Sequence, residues 1–109
     1  MTVVEFRSLA LSFPNVEPHP HFDRVAFKVA GKRIFATVHE EMGSANVLLS
    51  PAEQSVFCDF GKNAVFPVPN KWDLQGWTTF DLKKVPQELM VDALNTAYKE
   101  VVNSKRRKK

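Results

Sequence analysis

The sequence predicts an α+β fold: an antiparallel β-sheet of four to five strands with helices packed on it. Three observations carry this reading. Near both ends of the chain apolar residues recur at spacings of three and four, the period of a half-buried helix. Between them the period falls to two, the alternation of a strand with one buried face. The alternating runs follow one another through turns of a few residues, too short for parallel crossovers, so the strands form a meander.

The elements follow in order. Val3, Phe6, Leu9 and Ala10 make the first helical stripe, with Thr2 as cap and Glu5 three residues on. "FPNVEPHPHF" stops that helix, because Pro14, Pro18 and Pro20 cannot continue it. From Arg24, Val25, Phe27 and Val29 alternate with Ala26, Lys28 and Ala30. After the turn at Gly31, Ile34, Ala36 and Val38 alternate with Phe35, Thr37 and His39, which completes a hairpin. "EEMGS" turns the chain into a third strand, "ANVLLS". Ser50, Pro51 and Glu53 then supply a cap, a first-turn proline and a capping box for a short helix ending near Gly61. "AVFPVP" is extended, since residues before proline leave the α region. "GWTTFDL" is the last strand. Pro86 opens the closing helix, whose stripe is Leu89, Ala93, Leu94, Ala97, Tyr98 and Val101.

At 109 residues, 44% hydrophobic and 25% charged, the chain fits one domain that buries a core without staples. We place that domain at residues 1–103 and a basic, solvated tail at 104–109. Net charge is +3, yet the last five residues are all basic. Without them ten Lys and Arg face twelve Asp and Glu, so residues 1–104 carry about −2. The basic balance therefore belongs to "KRRKK", a solvated run or an arm for phosphate. A lone Cys58 excludes an internal disulfide and fits a reducing, cytoplasmic setting as a buried, inert thiol. No apolar run reaches the roughly 20 residues of a membrane span, and the first residues lack a secretory signal pattern. A monomer without membrane attachment is expected.

Strand alternation also assigns faces. If Val25, Phe27, Val29, Ile34, Ala36, Val38, Val47 and Leu49 point to the helices, the other face carries Lys28, Phe35, Thr37, His39 and Leu48. In the last strand Phe80 and Leu82 point in, and Trp77, Thr79 and Asp81 point out. Phe35 and Trp77 beside Lys28, Lys32 and Arg33 would suit stacking on bases and contact with phosphate. The alternative is that a loop or terminal helix covers this face and makes both aromatics a second core layer.

Catalytic signals are weak. His19, His21 and His39 have no spacing that fixes a metal site, and loop histidines are commonly solvated. Asp23, Glu40 and Glu41 need a cleft to act as general acid or base. Nothing marks Cys58 as a nucleophile, and four glycines leave no phosphate loop. We expect a protein that is not an enzyme and needs no cofactor and no metal.

In order over residues 3–103, "FPNVEPHPHFDRVAFKVAGKRIFATVHEE", "LLSPAEQ", "FPVPNKWDLQGWTTFDL" and the closing helix resemble the MmcQ/YjbR family. The most specific part is Trp72 with Gly76, Trp77 and Thr78. The resemblance implies a two-layer sandwich of the CyaY/frataxin-like type and a "double wing" arrangement for DNA binding. Duplex DNA is then the implied partner. The implied contacts are Arg24, Lys28, Lys32 and Arg33 in the first hairpin and Lys71, Trp72, Gln75 and Trp77 around the second; the reading of faces and charge adds Phe35 and, from the tail, Lys105, Arg106 and Arg107. Frataxin-type iron binding would need an acidic ridge on the first helix, where Glu5 is the one carboxylate. The competing reading is a protein- or peptide-interaction module that receives its partner on the open sheet face or an edge strand.

Overall fold

The computed structural model describes residues 1–21, 23–68 and 76–103. Their order is α1 (Val3–Ser12), β1 (Val16–His21), β2 (Arg24–Val29), β3 (Ile34–His39), β4 (Ser44–Leu48), α2 (Pro51–Gly61), β5 (Val65–Pro67), β6 (Trp77–Asp81) and α3 (Gln87–Asn103). The strands form one six-stranded sheet in the order β1-β2-β3-β4-β6-β5, with every neighbouring pair antiparallel. The three helices and one sheet face enclose a single core. The α+β sandwich is therefore as expected, with six strands where four to five were counted.

Both predicted capping boxes form. Thr2 Oγ1 accepts from Glu5 N–H and Glu5 accepts from Thr2 N–H; Ser50 and Glu53 repeat the exchange at α2. Each box satisfies two of the first-turn donors that a helix leaves open. The uncounted strand is β1, which pairs with β2 from Val16 to His21 through two prolines. A strand at a sheet edge needs N–H donors on one side only. Pro18 and Pro20 sit two apart, so the same side lacks both donors and the ladder to β2 is kept. Proline ends the helix, as expected, and then tolerates an edge strand.

The core rows run across the sheet as Val25, Val38, Ala45, Phe80 and Val65, then Phe27, Ala36, Val47 and Thr78. Against them pack Phe6 and Ala10 of α1 and Met90, Ala93, Leu94, Ala97 and Val101 of α3. Two assignments of faces are overturned, those of Phe35 and Ile34. Phe35, expected on the open face with Trp77, is fully buried in the core, edge-on to Phe13 and Tyr98. The register explains it. Phe27 pairs with Ala36 but Lys28 pairs with Ile34, so Phe35 is the extra residue of a β-bulge. A bulge sets two residues of one strand against one of its partner, which breaks strict alternation. Phe35 turns inward beside Ala36, and Ile34, expected inside, takes the open face.

Candidate nucleic-acid interface

Strand directions decide which residues meet. The β2–β3 turn, the end of β5, the start of β6 and the C-terminal end of β4 all lie at one end of the sheet. The last turns of α3 reach the same end, since Lys99, Glu100 and Asn103 line a shallow cleft with Glu53 from the first turn of α2. α3 thus ends at the end of the sheet that carries the β2–β3 turn and the start of β6.

At this end Lys32 and Arg33 are exposed in the first turn, where Val29 N–H donates to the Arg33 carbonyl and Lys32 N–H to that of Val29. Gly31 takes φ +75° there with open space around it. Lys28 is half-buried on the open face, with Glu17 of β1 on one side and Ile34 of β3 on the other. Trp77 is half-buried at the start of β6, opposite Leu48. Leu48 is buried yet lies outside the main core, as does Ala26, which marks the open face.

The base of the second hairpin is held from three directions. The Gln54 amide donates to the Trp77 carbonyl at 2.9 Å, and Val68 N–H donates to the same oxygen at 3.0 Å. Leu49 N–H and Thr78 Oγ1 both donate to the Gly76 carbonyl. Gln54 is itself buried on α2, so the helix fixes where β6 begins.

Two predicted contacts do not join this cluster. Phe35 is in the core. Arg24 starts β2 at the far end of the sheet, where Nη1 lies 3.4 Å from Thr37 Oγ1. Five residues of strand separate it from Val29, about 16 Å. Lys71, Trp72, Gln75, Lys105, Arg106 and Arg107 lie outside the described residues. One aromatic was missed: Phe66 pairs with Thr79, so it shares the open face with Trp77 and is 45% exposed. The signal was present in the alternation of "AVFPVP" against "WTTF", but the pairing of those runs was not.

His19 and His39 do not come together. His39 Nε2 is 2.9 Å from Asp23 Oδ2, and Met42 N–H donates to Nδ1 at 3.2 Å. Both ring nitrogens are engaged, with the proton on Nε2, so the ring ties the β1–β2 and β3–β4 turns together. His19 contacts Glu17 at the sheet edge, two strands away. No group of three or more His, Cys, Asp or Glu is placed to hold a metal among the described residues. Nor, among them, is any helix long and apolar enough to cross a membrane. Cys58 is half-buried rather than buried, with its side chain against the core.

The fold has counterparts among solved structures. The Deinococcus radiodurans protein DR2400, which carries a DUF419 domain, superposes with a TM-score of 0.82 at 21% identity, over 98% of this chain and 83% of that one. A Pseudomonas syringae protein superposes with a TM-score of 0.72 at 16% identity, over 93% of this chain and 99% of that one. No curated protein matches. The YjbR family model matches residues 11–100, from the end of α1 into α3, and this chain belongs to the YjbR family.

Proposed function

We propose that this YjbR-family protein is a small, non-enzymatic DNA-binding protein that works as a monomer and uses the paired hairpins as its two wings. The observation that carries this reading is that the β2–β3 turn, the end of β5, the start of β6 and the end of α3 share one end of the sheet, with Lys32 and Arg33 exposed there. Cations on a projecting turn reach phosphate with little desolvation, and phosphate contacts dominate affinity for nucleic acid. Residues 105–109 carry five further cations. Gln54 would fix the start of β6, at the base of the second wing, through the Trp77 carbonyl.

Of the competing reading, a partner received on the open sheet face or at an edge strand, the edge-strand form is disfavoured by the sequence of the edges. Pro18 and Pro20 in β1 and Pro67 in β5 each remove an edge donor.

An electrophoretic titration with and without residues 105–109 tests the proposal. Full-length protein should retain DNA at about 50 mM salt and lose it steeply by about 200 mM. The truncated protein should bind more weakly but still bind, with Lys32→Ala/Arg33→Ala lowering the salt slope by about 2. No retention of DNA by the full-length chain at low salt ends the proposal. Complete loss on truncation moves the reader from the folded domain to the tail.

A further inference from the structure

The open face near the hairpin end divides into two halves. On β6 and β5, Trp77 and Phe66 are diagonal neighbours, since Phe66 pairs with Thr79, two residues along from Trp77. Such diagonal pairs lie about 7–8 Å apart, within reach of aromatic rings. On β2 and its turn sit Lys28, Lys32 and Arg33. Ile34 and Leu48, on the two strands between, give an aliphatic floor. Three strand spacings separate the backbone of Lys28 from that of Trp77, about 14 Å.

We propose that this face binds single-stranded nucleic acid, with bases stacked on Phe66 and Trp77 and phosphates met by Lys28, Lys32 and Arg33. This rests on the nucleic-acid reading above and changes the form of nucleic acid preferred. Rings on a sheet can offer their faces only to unstacked bases, and a duplex hides its base faces in the stack. Six strands also span about 24 Å, too wide for a major groove of about 12 Å. Charge complementarity fixes the direction. The cations lie on one side of the aromatics, so a single strand would run across the β-strands from β2 to β5.

The experiment compares a labelled oligothymidylate of about twelve nucleotides with a duplex of equal length, by anisotropy with the full-length protein. The oligothymidylate should bind at least about tenfold more tightly. Phe66→Ala should weaken it about five- to hundredfold, Phe66→Tyr should restore it, and the salt slope should stay unchanged because no charge is lost. In a Trp72→Phe background Trp77 is the sole tryptophan, and its fluorescence should be quenched on binding. A duplex bound as tightly as the single strand, or a Phe66→Ala protein within twofold of the parent, overturns the single-strand assignment and leaves DNA binding standing. If neither probe binds at low salt, both readings fall together.

Discussion

Gly76 holds φ at +95°, in a region that L side chains rarely adopt, and an added Cβ would collide with the Leu49 carbonyl. Gly31 holds φ at +75° but has nothing within 4 Å of the same added carbon. The two positions therefore separate backbone strain from steric exclusion. Gly31→Ala should cost about 1 kcal/mol, the usual cost of a left-handed alanine. Gly76→Ala should cost about 3 kcal/mol or more, because it adds a clash at the point where Leu49 N–H meets the Gly76 carbonyl. Urea midpoints at constant m-value measure both. Equal losses would mean that the approach of β4 to Gly76 is not as close as described. At His39 the same kind of reasoning predicts a tautomer. Met42 N–H needs an acceptor at Nδ1, so nitrogen-15 chemical shifts should report a proton on Nε2 in the neutral ring.

At the level of elements, legibility in the sequence followed the locality of the signal. Helix starts were readable because Thr2 with Glu5, and Ser50 with Pro51 and Glu53, act within four residues. The β2–β3 hairpin was readable from its alternation and Gly31. β1 was not, because its alternation of two prolines with two histidines carries no apolar period, and only pairing with β2 makes it a strand. The bulge was invisible for the same reason, since an extra residue is defined by the partner strand. Its consequence is testable. Phe35→Ala should cost about 3–5 kcal/mol, the range for a buried phenylalanine, and Ile34→Thr within about 1 kcal/mol. Without the bulge the order would be reversed. The measurement is again the denaturation midpoint of each variant, and a larger loss at Ile34 would restore simple alternation and return Phe35 to the open face.

For the whole molecule, the sequence held the cations of the interface but not their arrangement. Lys28, Lys32 and Arg33 could be named from one hairpin, whereas the removal of Arg24 to the far end, and the arrival of Phe66 beside Trp77, depend on strand order. Net charge is a poor guide here, because a +3 chain owes its sign to its last five residues. Placement has to be tested against charge itself. Lys83 and Lys84 are exposed in the turn after β6, at the opposite end of the sheet from Lys32 and Arg33. Lys32→Glu/Arg33→Glu and Lys83→Glu/Lys84→Glu change the net charge equally. If the hairpin end is the interface, the first pair should weaken binding at about 50 mM salt by tenfold or more and the second by under about threefold, since exposed charges beyond a Debye length are largely screened. Matched thermal midpoints would confirm that neither pair unfolds the domain. Equal losses from the two pairs would show that nucleic acid senses only the total charge, and neither the wings nor the aromatic face would then have a role in recognition.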